Sequence, residues 1–69
     1  MSKFAKRLKE AREDKKLSQR ALSGKLGLSH GMVNHWETGT AVPSMDLIIS
    51  LCKILNISAD YLLGLKDFE

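Results

Sequence analysis

The sequence predicts an all-α fold, a compact five-helix bundle, and three observations support that prediction. Four serines each follow an apolar residue or proline and stand four positions before another apolar residue: Ser18, Ser29, Ser44 and Ser58. That spacing is typical of a helix N-cap with a hydrophobic staple. Elsewhere apolar residues recur at helical spacing and leave little room for strands. The length of 69 residues predicts a single domain over 1–69.

The first two predicted helices are separated by Ser18. Helix one covers residues 3–15, with an apolar stripe of Phe4, Leu8 and Ala11. Helix two begins after Ser18 and ends near Gly27, where the chain must take a positive φ that glycine adopts at least cost. Its inner face is predicted to consist of the apolar residues Ala21, Leu22 and Leu26.

The remaining three helices are bounded by the other serines. Helix three begins after Ser29 and ends at Gly39. Helix four, Met45–Leu55, is the most apolar segment and is predicted to be the central core helix, ending at Asn56. Helix five covers 59–63 and stops at Gly64, and residues 65–69 form a short tail.

Composition argues against several classes of function. The single cysteine, Cys52, cannot form an internal disulfide or define a metal site, and it is predicted to be a small buried hydrophobe. No apolar run reaches the ~20 residues that a membrane span needs. The sequence has no catalytic triad or HExxH motif, so we expect no enzymatic activity, no cofactor, no metal and no small-molecule ligand.

Charge is distributed unevenly along the chain. Residues 1–25 carry a net charge of +6 and residues 26–69 a net charge of −3. A basic first half suits contact with a phosphate backbone. The other interpretation, a solvated lysine-rich first helix, stays open on this observation alone.

Helix three has two opposite faces on a helical wheel. Val33 and Trp36, with Met32 beside them, form the apolar face. The opposite face carries small or uncharged polar residues and no Lys, Arg, Asp or Glu: His30, Gly31, Asn34, His35 and Thr38. Such a face suits hydrogen bonding to base edges. Two helices joined by a short glycine turn form the DNA-binding helix-turn-helix pattern.

An ordered set of residues makes a family resemblance specific. The set comprises Gln19, Leu22, Gly27, Ser29, Val33, Trp36, Glu37, Gly39, Pro43 and the ending Tyr61-Leu62-Leu63-Gly64. The chain thereby resembles the Cro and phage-repressor family of helix-turn-helix regulators, also called the xenobiotic-response-element family, over residues 4–64. It departs from the family at Gly31, which replaces a longer polar residue, and at Ser23, where a small alanine is usual and a serine is expected to be sterically harmless.

The resemblance implies roles for individual positions. Side chains at four positions would enter the major groove: His30, Gly31, Asn34 and His35. Gln19 would bind a phosphate, Thr38 and Thr40 would lie near the sugar-phosphate backbone, and Arg20 and Ser29 are added to the predicted phosphate contacts. Arg12 and Glu37 match a family ion pair that ties helix one to helix three.

These features predict a sequence-specific regulator of transcription that binds double-stranded DNA. We expect a repressor that binds a palindromic operator as a homodimer, through apolar residues of the last two helices and the tail: Ile49, Leu63, Leu65 and Phe68. The expected location is the cytoplasm of a prokaryote, with the protein host- or phage-encoded and associated with the nucleoid. The alternative is an antitoxin or antirepressor that acts mainly by binding another protein.

Overall fold

Serine side chains begin four of the five helices in the computed structural model, which describes residues 2–67. The helices are α1 (Lys3–Asp14), α2 (Gln19–Lys25), α3 (Met32–Thr38), α4 (Met45–Leu55) and α5 (Ala59–Leu62). The hydroxyl oxygens of the capping serines accept hydrogen bonds from backbone N–H groups three residues on, as at Ser18 (2.9 Å from the nitrogen of Ala21). Three of the four predicted caps, Ser18, Ser44 and Ser58, are thereby confirmed. Ser2 also caps a helix, α1, although the pattern of flanking apolar residues did not predict it.

The prediction that Ser29 caps the third helix was wrong. The N-cap of α3 is Gly31, which has helical backbone angles (φ −85°, ψ −8°) and no side chain to cap with. The backbone oxygen of Ser29 instead accepts a hydrogen bond from the nitrogen of Met32 at 3.3 Å, closing a turn. The helix therefore begins at Met32, and His30 and Gly31 precede it.

The turn residues agree with the sequence. Gly27 and Gly39 have φ values of 72° and 80°, and Asn56 ends α4 with a φ of 55°. Gly64, after α5, also has a positive φ. Lys16 adopts a φ of 58° at the corner between α1 and α2, where nothing in the sequence indicated it.

The core lies mainly between α1, α2, α3 and α5, and α4 contributes Leu51 and Leu55 to it. The predicted central role of α4 was wrong, because of its residues only Leu51 and Leu55 are buried. Helix α1 instead buries four residues and packs against both α3 and α5, while α2 packs against α3. The prediction failed because most apolar residues of α4 are only half-buried or exposed, so hydrophobicity alone did not indicate centrality.

The inner face of α2 differs from the prediction at two positions. Leu22 is fully buried as expected, but Ala21 is exposed. Ser23 takes the inner position and is fully buried, and within residues 2–67 its hydroxyl has no hydrogen-bond partner. Alanine and serine are small enough that apolar periodicity in a seven-residue helix did not separate them.

Candidate nucleic-acid interface

Helix α3 presents the two opposite faces that its sequence predicts. Val33 and Trp36 are completely buried and anchor the helix in the core. Asn34, His35 and Thr38 are exposed on the other side. The exposed side chains are polar and none carries a formal charge when histidine is neutral, which leaves hydrogen-bond donors and acceptors available to a partner.

His30 and Gly31 lie at the N-terminal end of this surface rather than on the helix. Both are exposed and belong to the turn that leads into Met32. Their predicted positions on the helical wheel were therefore wrong, since the wheel assumed a helix that started after Ser29. They still lie one helical turn from Asn34 and His35, because the nitrogen of His35 donates to the oxygen of Gly31 at 3.1 Å.

A buried ion pair joins α3 to α1. The Nε atom of Arg12 lies 2.7 Å from Oε2 of Glu37, and its Nη2 atom lies 3.1 Å from Oε1. A third donor of Arg12 binds the backbone oxygen of Leu17 at 2.7 Å, at the corner between α1 and α2. The hydrogen bond to Glu37 raises the pKa of Arg12, so the guanidinium stays charged over the whole physiological range.

Gln19 connects this ion pair to the exposed face of α3. Its Nε2 atom donates to Oε1 of Glu37 at 3.0 Å and to Oδ1 of Asn34 at 3.4 Å. Both amide hydrogens of Gln19 thus have partners, and a phosphate contact through this group would replace one of them. A continuous chain of hydrogen bonds therefore runs from the buried pair of Arg12 and Glu37 through Gln19 to Asn34 at the surface.

His35 is held from the C-terminal side of α3. Its Nδ1 atom lies 3.1 Å from the hydroxyl of Thr40, and the hydroxyl of Thr38 donates to the backbone oxygen of Asn34 at 2.9 Å. Thr40 reaches the helix because Gly39 reverses the chain with a φ of 80°. These contacts were not evident from the sequence, because they depend on how the chain returns after Gly39.

Apolar residues are exposed where the dimer contact was predicted. Ile49, Leu63 and Leu65 are 48%, 45% and 74% exposed. Phe68 lies outside the described residues. Two further exposed apolar residues were missed, Val42 (80%) and Met45 (78%), because they fall in or next to a loop and not in an apolar stripe.

Neither a metal centre nor a membrane segment emerges from the part of the chain that the structure describes. Within residues 2–67, no cluster of three or more His, Cys, Asp or Glu side chains could hold a metal ion. None of the described helices combines the length and the apolar character that crossing a membrane requires.

The two helices α2 and α3, joined by the turn at Gly27 and presenting one polar face, define a helix-turn-helix domain. Comparison with known proteins agrees. The chain belongs to the helix-turn-helix family, which matches it over residues 8–62. The predicted family resemblance is thereby confirmed.

Relatives of known sequence are described as regulators of transcription. The chain is 37% identical over 60 residues to the uncharacterized HTH-type transcriptional regulator YqaE of Bacillus subtilis, covering 87% of this chain and 52% of that protein. It is 36% identical over 64 residues to the HTH-type transcriptional regulator ImmR of the same organism, covering 93% and 50%. The chain therefore spans about half the length of the curated relatives it matches.

A solved structure shares the fold. The P22 c2 repressor, crystallised with the synthetic operator 9T, superimposes with a TM-score of 0.81 and 32% sequence identity, covering 87% of this chain and 91% of that one. The predicted all-α bundle with its helix-turn-helix at the second and third helices is confirmed by this match. These similar proteins are named as regulators or as a repressor, and none of them as an enzyme.

Proposed function

We propose that this protein binds double-stranded DNA in a sequence-specific manner and regulates transcription, as a repressor. The observation that carries the proposal is the exposed, uncharged polar face of α3, clamped from behind by the buried Val33 and Trp36. Side chains of this kind read donors and acceptors at base edges. Membership of the helix-turn-helix family and the likeness to a repressor crystallised with its operator support the same function.

Base reading is assigned to four positions at one end and along one side of α3. Asn34 and His35 project from the helix, and His30 and Gly31 lie in the turn before it. Asn34 has its carboxamide oxygen 3.4 Å from Nε2 of Gln19, which orients the group, and its Nδ2 hydrogens have no partner among residues 2–67 and could bind a base. Gly31 has no side chain and would contribute by allowing close approach of its backbone.

Phosphate contacts would surround this reading surface. Residues assigned to them are polar or basic and lie at helix ends, in the turn between α2 and α3 or in the loop after α3: Gln19, Arg20, Ser29, Thr38 and Thr40. The charge of +6 on residues 1–25 adds a non-specific attraction for the polyanion.

A homodimer on a palindromic operator fits the exposed apolar residues. Ile49, Leu63 and Leu65 lie on or near the last two helices. Close to them a shallow hollow of about 250 Å³ is lined by Phe4, Val42, Pro43, Ile48 and Leu63 among others. Contact between two copies there would cover this surface and place two reading helices about 34 Å apart, in successive major grooves.

Selection of bound duplexes from a random DNA pool tests the proposal. We expect one enriched palindromic site, bound with an affinity that falls as salt rises. If a dimer neutralises around six phosphates, log affinity should fall with log salt at a slope near −5. Fluorescence anisotropy on the selected duplex measures that slope.

Variants locate the binding surface. Asn34→Ala is expected to weaken binding about ten- to a hundredfold, because a good base contact is worth about 1–3 kcal/mol. Lys53→Ala, an exposed position in the last turn of α4, is the control and should bind like the parent protein. Failure to enrich any duplex, or an equal effect of the two substitutions, would contradict the proposal. A DNA regulator of this kind would act in the cytoplasm.

A further inference from the structure

The ring of His35 is confined on both sides by residues that lie outside its helical turn. Its Nδ1 atom lies 3.1 Å from Oγ1 of Thr40. A methyl group built at Gly31 would lie 3.8 Å from Nε2 of His35, so the ring passes over the glycine and Nε2 stays accessible beside the bare backbone. The backbone nitrogen of Thr40 donates to the oxygen of His35 at 3.0 Å, which holds the threonine in place.

The surrounding hydroxyls determine which ring nitrogen carries the proton. The hydroxyl of Thr38 lies 2.9 Å from the backbone oxygen of Asn34 and 3.3 Å from that of His35, and we assign its hydrogen to the shorter contact. The hydroxyl of Thr40 lies 3.2 Å from the backbone oxygen of His35 and 3.3 Å from Oγ1 of Thr38. Both neighbours are acceptors that face it.

The alternative arrangement is electrostatically unfavourable. If Thr40 gave its only hydrogen to Nδ1 of His35, its oxygen would face two other oxygens at 3.2 and 3.3 Å with no hydrogen between them. Giving the hydrogen to one of those oxygens removes the repulsion at that contact and leaves a lone pair directed at Nδ1. The ring nitrogen must then be the donor, Nδ1–H, and in a neutral ring Nε2 becomes an acceptor.

We propose that Thr40 is a positioning residue that fixes His35 in the Nδ1–H tautomer, so that Nε2 reads an exocyclic amino group of a base. In the major groove only adenine N6 and cytosine N4 present such donors, whereas guanine N7 and O6 and thymine O4 are acceptors that would face the Nε2 lone pair. This inference rests on the proposed DNA-binding function. It gives Thr40 a role in specificity in addition to the phosphate contact assigned to it above.

Nitrogen-15 NMR of the free protein tests the tautomer without DNA. At pH 8, where an ordinary imidazole is neutral, the long-range proton–nitrogen correlations of His35 should show Nδ1–H. Thr40→Val keeps the branched shape and removes the hydroxyl, and it should abolish this fixed tautomer. Thr38→Val is the matched control: it removes one of the two oxygens that face Thr40 but leaves the backbone oxygen of His35 as the acceptor of its hydrogen, so the tautomer should be preserved.

Selection of duplexes at pH 8 tests the reading. Comparing the parent protein with His35→Ala identifies the base-pair position that His35 contacts. Every base pair carries one such amino group, on adenine or on cytosine, so the contact is tested by replacing that base in the selected duplex with purine or 2-pyrimidinone, which lack the group. The parent protein should prefer the duplex that keeps the amino group by about tenfold or more, whereas His35→Ala should show no such preference. Thr40→Val should reduce this preference to near unity, whereas Thr38→Val should weaken binding to all sequences alike or leave it unchanged.

The possible results distinguish failure of the proposed tautomer from failure of the proposed DNA-binding function. An Nε2–H tautomer in the parent protein, or a tautomer that survives in Thr40→Val, overturns the inference even when DNA is bound tightly. Equal binding of the parent protein to the duplexes with and without the amino group does so as well. If no duplex is selected at all, the proposed function fails and the base reading fails with it, while the NMR result still decides the tautomer.

Discussion

Loss of the buried charge on Glu37 should destabilise the fold more than any surface substitution. In Glu37→Gln the side chain keeps its size, but Arg12 loses its ionic partner and faces an NH₂ donor or a neutral oxygen. Arg12 and Glu37 are only 7% and 5% exposed, so water cannot replace the lost contact. Breaking a buried pair in this way costs about 3–5 kcal/mol. The free energy of unfolding of a 69-residue domain is roughly 3–10 kcal/mol in total.

Urea unfolding followed by the fluorescence of Trp36 measures this loss. Trp36 is the single tryptophan and is completely buried, so its emission reports the whole core. The matched control is Lys66→Gln, which removes an exposed ion pair with Asp60 (3.6 Å between Nζ and Oδ2). Pairs of that kind contribute about 0–1 kcal/mol, and the control should unfold near the parent midpoint.

A second variant tests the role of the buried ion pair even if Glu37→Gln fails to fold. The double substitution Arg12→Met with Glu37→Met replaces both charges by apolar side chains, which is often close to neutral for a buried pair. We expect this variant to fold and to be more stable than Glu37→Gln. The account of the ion pair is refuted if Glu37→Gln lies within about 1 kcal/mol of the parent protein, or if the double variant is the less stable of the two.

Three further predictions concern stability and reactivity. Ser23→Ala should stabilise the protein by about 1 kcal/mol, since it removes a buried hydroxyl that has no partner within residues 2–67, and urea unfolding measures the gain. Gly24→Ala should stabilise the protein by about 0.5–1 kcal/mol, because Gly24 lies within α2 and nothing lies near the added methyl group. Gly39→Ala should destabilise the protein by about 1–2 kcal/mol, because Gly39 has equal space but a φ of 80° that an alanine rarely adopts. Cys52, predicted to be buried, is only half-buried, and this partial burial raises the pKa of its thiol. Iodoacetamide at pH 8 should therefore alkylate the folded protein several-fold more slowly than the urea-unfolded chain, and equal rates would contradict the partial burial. Because the folded protein holds the thiol proton more tightly than the unfolded chain does, the free energy of unfolding should be highest below the pKa of the unfolded thiol. It should then fall as the pH rises through the higher pKa of the folded thiol.

Local chemistry made most of the fold predictable. Ser18, Ser44 and Ser58 cap helices because a hydroxyl in that position satisfies a free N–H group within the same turn of chain. Gly39 ends α3 for a similarly local reason, its positive φ. Ser29 stands in the same pattern and nevertheless does not cap. The start of α3 therefore depends on more than that local pattern.

The arrangement of the candidate site could be predicted only in part. The polar face of α3 follows from periodicity, and it holds at Asn34 and His35. The link from Gln19 to Asn34 crosses two helices, and the bond between His35 and Thr40 depends on the reversal at Gly39. These contacts join separate segments, and how close those segments lie in the folded protein cannot be read from local sequence patterns.

A crystal structure with a duplex selected from the random pool would show whether the exposed face of α3 reads DNA. We expect α3 to lie in the major groove with His30, Asn34 and His35 within hydrogen-bond distance of base edges. A complex in which these three side chains face solvent, with the DNA held by another surface, would contradict it.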